Sequence, residues 1–198
     1  MKNNNIQLII DEAYEDSIWE NKLKQYKKTQ NLIKRRRHFK RKVLIAPYIV
    51  DENGIIRILT VLGKKHNEWS FVCGTVDKNE DTILAASREL FEETKTILDL
   101  NIQNIDNVKS FSTFNITENG RIQDYTIYIF RINISESSLI SSFYRMKLYG
   151  NEYNENSQIA FQTLRELNDD SRTWPFIKDK FVNNFYFQHL LLESFYAI

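Results

Sequence analysis

The densest chemistry in the sequence lies between Gly74 and Glu93. Arg88 and Glu89 are followed by Leu90, then by Glu92 and Glu93. The three acids stand three and four residues apart. On a helix turning about 100° per residue they fall within about 100° of one another. Carboxylates crowded on one face repel unless a cation lies between them. Hard oxygen donors favour Mg²⁺, with Mn²⁺ as a substitute. Arg88, four residues before Glu92, can hold a carboxylate in place without being a ligand itself. Glu80 stands where the helix begins, and a negative charge there meets the positive end of the helix dipole. Gly74 lets the backbone pass close to such a site. Taken alone, Glu-x-x-Glu-Glu reads more readily as a solvated helix face with an i,i+4 ion pair. The fixed spacing of the whole array separates it from that reading.

The array resembles the Nudix box, written G-x5-E-x7-R-E-U-x-E-E-x-G-U with U aliphatic. Gly74, Glu80, Arg88, Glu89, Leu90, Glu92 and Glu93 all match it. The resemblance implies a metal-dependent hydrolase that cuts a diphosphate linkage in a nucleoside-containing substrate, with water attacking phosphorus. It implies Glu89 and Glu93 as metal ligands, Glu92 as a ligand or the base, and Arg88 as a catalytic-site residue. It also implies that the backbone carbonyl of Cys73 serves the metal, because a carbonyl does not depend on its side chain. A further acid outside the box is common in the family. Glu155, six residues before Phe161, is the first choice, and Glu152 and Glu118 are weaker ones. Two positions depart from the pattern. Lys95 stands where the family has glycine, and Thr96 stands at the next aliphatic position. A lysine held in the left-handed conformation costs roughly 1 kcal/mol. The simpler expectation is that the helix runs on and brings Ile97 into the core.

The elements that must position these residues follow from periodicity and turn signals. Val43–Val50 reads as the first strand, Asp51-Glu52-Asn53-Gly54 as a turn, and residues 55–62 as the returning strand. Trp69–Cys73 reads as a short strand. From Asp81 to about Thr94 there is no Gly or Pro, and Ile83, Ala86, Leu90 and Ile97 recur at helical spacing. Strands are expected over residues 108–116 and 122–134, and a last one over residues 159–164. Residues 135–157 are polar and carry no clear element. A long helix is expected from Pro175 to about Tyr196. The order of strands, helix, strands and helix predicts an α/β fold, a mixed sheet between helices. In the family's terms this is a Nudix-type α/β/α sandwich. The expected division is an N-terminal helical, basic arm over residues 1–42 and a Nudix domain over residues 43–198.

Composition bounds the remaining questions. The chain has 198 residues, 42% hydrophobic and 27% charged, as for a globular protein. The single cysteine, Cys73, excludes an intrachain disulfide and favours a reducing compartment. No apolar run reaches the roughly 18 residues of a membrane span, so a cytoplasmic or nuclear protein is expected. The net charge of +1 conceals ten Lys/Arg and no acid between Lys24 and Lys42. Such segregation points to an anionic partner. Lys34, Arg35, Arg36, Arg37, Lys40, Arg41 and Lys42 are the candidate RNA-binding residues, with Tyr26, His38 and Phe39 interleaved for stacking. A basic arm before the domain is similar to that of mRNA-decapping Nudix enzymes, including viral ones. Capped RNA is therefore the expected substrate. The alternatives are a small nucleotide (a dinucleoside polyphosphate, ADP-ribose, NADH or a nucleoside triphosphate) and a Nudix-fold protein that binds RNA without catalysis. Trp174, Trp19 and Phe111 are candidates to sandwich a base.

Overall fold

A computed structural model describes residues 40–100, 108–117, 120–146 and 155–196. The chain divides into two units, Met1–Phe39 and Lys40–Ile198. Most of the expected N-terminal helical, basic arm, including Lys34, Arg35, Arg36 and Arg37, lies outside the described residues.

The second unit is built on one mixed sheet. Its strands are β1 (Lys40–Val50), β2 (Ile56–Gly63), β3 (Trp69–Ser70), β4 (Val72–Thr75), β5 (Lys109–Ile116), β6 (Ile122–Arg131) and β7 (Asn156–Gln162). The main path runs β3-β2-β1-β6-β5, with β4 paired to β1 and β7 paired to β2. β1 and β6 are parallel, and the remaining pairs are antiparallel. β1 starts at Lys40, three residues before the expected Val43, because Lys40–Lys42 continue the parallel ladder with Gln123–Tyr125.

Both faces of β1 are buried, so its core runs apolar without interruption from Val43 to Ala46. Val43, Ile45 and Ile49 face one cluster, where Ala85, Ala86 and Leu90 of helix α1 (Thr82–Glu93) pack with Leu139 and Phe143 of α2 (Glu136–Arg145). Leu44, Ala46 and Tyr48 face the other. There Leu167 of α3 (Leu164–Asp169) packs with Phe176, Phe181, Phe187 and Leu191 from the C-terminal helices. Sheet and helices thus form the expected three layers.

Several local expectations need correction. The C-terminal helix is not continuous. It consists of α4 (Pro175–Ile177), a π-helical turn (Lys178–Val182) and α5 (Phe185–Tyr196). Asn184 interrupts it by accepting the N–H groups of Tyr186 and Phe187 on its side chain. Such local side-chain acceptors compete with the helical ladder. The polar stretch without a clear element contains α2, capped by the Ser135 hydroxyl, which accepts from Ser138 N–H. α3 starts in a capping box between Thr163 and Glu166. β6 ends at Arg131 rather than Ile134, and β7 begins at Asn156 rather than Ile159 and ends at Gln162 rather than Leu164.

The end of α1 departs from expectation in an informative way. The helix stops at Glu93 instead of running on. Lys95 and Thr96 both adopt left-handed backbone, with φ of 55° and 66°. Lys95 N–H donates to the Glu92 carbonyl at 3.1 Å and Thr96 N–H to the Phe91 carbonyl at 2.6 Å. The lysine takes the conformation for which glycine is suited and is anchored there. Its Nζ donates to the Phe143 carbonyl at 3.2 Å and lies 4.0 Å from the centre of the Phe143 ring. The turn, not a longer helix, delivers Ile97 against the core. Thr96 pays for its β-branched side chain with no such anchor. Thr96→Gly is expected to stabilise the fold by about 1 kcal/mol. Thermal unfolding should show a midpoint raised by about 2–4 °C, and an unchanged or lower midpoint refutes the strain.

Candidate active site

The box residues come together because β4 and α1 are clamped by one guanidinium. Asp81 caps α1 by accepting from Ile83 N–H. Arg88, on the turn facing β4, donates Nε and Nη2 to the two oxygens of Glu80 at 3.1 and 3.0 Å. Its Nη1 donates to Glu89 at 2.8 Å and to Glu92 at 3.3 Å. Nη2 also reaches the Thr75 carbonyl at 2.9 Å, which ties the helix to the strand. The Arg88 bonds hold the Glu80 carboxyl below the usual range, helped by the Asp77 N–H. The loop before α1 is pinned from the other side by Arg41, whose Nη2 donates to the carbonyls of Asp77 and Glu80.

Glu89 lies between Arg88 and the sheet, where its Oε1 also accepts the Thr75 N–H at 3.1 Å. Burial raises its pKa, and Arg88 opposes that rise. Gly74 leaves room here for Glu89 to stay on Arg88 and Thr75. A Cβ at that position would overlap the Glu89 carboxyl group.

Glu93 occupies the deepest position of the three box acids on α1. It is 9% exposed. Its pKa is pushed up to about 8, chiefly by burial and further by the neighbouring Glu89 and Glu155. Asn156 Nδ2 donates to it at 3.1 Å, and the backbone of Cys73 hydrogen bonds to it as well. Asn156 is a site residue that the sequence reading missed. Its only signal was its place beside Glu155, and the strand it opens was expected to begin three residues later.

Glu93, Asn156 and Glu155 line a cavity of about 950 Å³, together with Cys73, Lys42 and Trp174. Glu155, chosen from sequence as the extra acid, therefore does face the buried box acid. Its carbonyl accepts Lys64 N–H at 2.9 Å, which holds it against the loop after β2. Burial pushes the Cys73 thiol up to about 12, so it is not a nucleophile at neutral pH. Glu152, Glu118 and Trp19 lie outside the described residues. Phe111 packs among Phe181, Tyr186 and Phe187 and serves the core rather than a ligand. Of the basic residues expected to bind RNA, Lys40 is exposed, Lys42 lines the cavity, and Arg41 is committed to the loop before α1.

Among the described residues no three His, Cys, Asp or Glu side chains form a ready-made metal cage. The reason is visible in the hydrogen bonds, because Glu89 and Glu92 are both turned onto Arg88. The donor set still fits a hard divalent ion. Glu89 and Glu155 both raise the cost of ionising the buried Glu93, and a cation beside it removes that cost. Mg²⁺ takes few carboxylates and fills its remaining positions with water and substrate phosphate.

No curated protein matches the chain in sequence. Solved structures do match in fold. The pyrophosphohydrolase BsRppH of Bacillus subtilis aligns at 15% identity over 79% of this chain and 84% of its own, with a TM-score of 0.54. The NUDIX domain of Shewanella oneidensis NrtR, complexed with ADP ribose, aligns at 12% identity over 73% and 86%, with a TM-score of 0.51. A bifunctional NMN adenylyltransferase/ADP ribose pyrophosphatase from Francisella tularensis, complexed with AMP and a Mn ion, aligns at 19% identity over 96% and 52%, with a TM-score of 0.51. Among the described residues no helix is long and apolar enough to cross a membrane. The profile of the NUDIX domain matches residues 39–185, most of the chain and the whole of the sheet. This chain belongs to the NUDIX domain family.

Proposed function

We propose that the protein hydrolyses a phosphoanhydride bond in a nucleoside-containing substrate, with Mg²⁺ or Mn²⁺. The observation that carries this reading is the buried Glu93, held by Asn156 and lining a cavity that Lys42 and Lys65 also line. When bound, the divalent ion neutralises diphosphate charge and makes water more acidic. Glu93, Glu89 and Glu155 would hold that ion. Glu92, at the long end of the Arg88 network at 3.3 Å, is the acid most easily released to hold a ligand or accept a proton. Arg88 positions Glu89 and Glu92 and keeps Glu80 ionised. Lys42 and Lys65, which line the same cavity, meet the phosphates.

Capped RNA is the finer reading, and Lys42 favours it, because it is the last residue of the basic run in the sequence and lines the cavity. Its products would be a capped-nucleotide diphosphate and a 5′-monophosphate RNA. Cap-labelled RNA, free cap dinucleotide and ADP-ribose, offered in parallel, separate the readings. Turnover of capped RNA should fall steeply with salt. Preference for free ADP-ribose over long capped RNA sinks decapping while leaving the hydrolase reading intact.

Replacing Glu93 or Glu92 by Gln is expected to lower metal-dependent turnover by about 100-fold or more. Chelation should abolish turnover, and added Mg²⁺ or Mn²⁺ should restore it. If neither substitution slows hydrolysis of any of these substrates, the site is wrongly assigned. Arg88→Ala and Asn156→Leu remove positioning contacts and should each cost about 10–100-fold. Arg88→Lys should fail to restore the rate, because an ammonium cannot reproduce the two-pronged bond to Glu80. Full activity in Arg88→Lys would show that charge alone suffices.

A further inference from the structure

Helix α5 is apolar on two sides, and the sheet covers only one of them. Phe187, Leu190 and Leu191 are buried in the core cluster on that side, and the Ser194 hydroxyl bonds that of Tyr48 at 3.0 Å. On the other side Phe185, His189, Leu192 and Tyr196 recur at helical spacing and form one stripe within about 60° of arc. Phe185 is 80% exposed, Leu192 48% and Tyr196 77%. Tyr186, 56% exposed, flanks the stripe and stands edge-on to Phe111 of β5, with ring centres 5.5 Å apart. A helix that is apolar all round belongs in an interior. β5 is itself the last strand of the main path and pairs only with β6 among the described residues, so its outer edge offers unpaired backbone groups. Its first residue, Lys109, lines a groove with His189, Leu192, Glu193 and Tyr196. That groove joins the exposed stripe to the open edge.

We propose that a second copy of this chain docks on that face, in a two-fold contact that lays the α5 helices of the two copies against each other. The inference is independent of the hydrolase reading. Area is the first argument. Aromatic side chains present about 150–250 Å² each, so the exposed parts of Phe185, Tyr186, Leu192 and Tyr196 come to about 500 Å² per copy. Two copies bury about 1,000 Å² through these side chains alone, and a polar rim brings the total into the roughly 1,200–2,000 Å² of a stable interface. Apolar patches of this size on soluble proteins mark interaction sites. Charge is the second argument. The groove holds one cation, Lys109, and one acid, Glu193, whose Oε1 lies 3.4 Å from His189 Nδ1. A two-fold contact is self-complementary, so Lys109 meets Glu193 of the partner subunit and the pair forms twice. An antiparallel pairing also lays the Phe185 end of each helix on the Tyr196 end of the other, with His189 and Leu192 near the axis. An acid in the middle of the face repels phosphates, which disfavours a nucleic acid as the occupant.

The mass of the full chain in solution tests this. Sedimentation and light scattering from about 1 to 100 μM, the range in which an interface of this size is populated, should give twice the mass of one chain. Leu192→Glu sets two like charges near the axis and should weaken association about 100-fold or more. Lys109→Glu and Glu193→Lys should each weaken it about tenfold, and the two together should restore most of the loss. Leu84→Glu, a similar change at an exposed position of α1, should leave the mass at two chains. Circular dichroism checks the fold of each variant, and the charge reversals carry the test if Leu192→Glu fails to fold. A single-chain mass at every concentration overturns the proposal. So does a dimer that survives Leu192→Glu and both single reversals, or an equal loss in Leu84→Glu. Growth beyond two chains overturns it as well, because a two-fold contact closes on itself.

Discussion

The guanidinium of Arg88 meets Glu80, Glu89, Glu92 and the Thr75 carbonyl at once. Most other features of the site depend on that convergence. Three acids beside one another would push the helix face into solvent or take up protons. A single planar cation with five donors holds them in register and also bonds the strand. Glu80 thereby stays ionised, Glu89 is drawn under the sheet, and the start of α1 is locked to the end of β4. Arg41 adds a second pin from β1 to the loop between them. The catalytic face is therefore set by elements paired with the central strand.

Glu93 is held by different means. It is beyond the reach of Arg88 and depends on an amide from β7 and a backbone group from β4. One acid is thus left buried without a charged partner, which makes it the most demanding of a cation. The hydrogen bonds thus divide the box acids into a set tied to Arg88 and one tied to Asn156. The layers support that division. Both faces of β1 are buried, so β4 and α1 pack on a strand that has little freedom to move.

Much of this was legible in the sequence. The spacing of Glu89, Glu92 and Glu93, the absence of Gly or Pro from Asp81 to Thr94 and the Gly54 turn are local signals, and each corresponds to a feature of the fold. Glu155 was legible only through resemblance, and it does face the cavity. Asn156 was not, because nothing local marks an amide that meets its partner 63 residues away in the chain. The break in the C-terminal helix was hidden because Asn184 is a tolerable helix residue until its side chain captures two backbone N–H groups. The turn at Lys95 and Thr96 ran against propensity altogether. The anchoring of Lys95 on Phe143 is a tertiary contact, and it overrides the backbone preference.

The absent side chain of Gly74 bears on how this chain can change over time. Any larger residue there collides with the Glu89 carboxyl. A shorter acid at position 89 would relieve the collision but would draw back from Arg88 and the Thr75 N–H. The two positions lie 15 residues apart on different elements, yet a side chain at position 74 displaces the Glu89 carboxyl from Arg88 and the Thr75 N–H. A change at any of positions 74, 88 and 89 is therefore felt by the other two, through volume on one side and charge on the other.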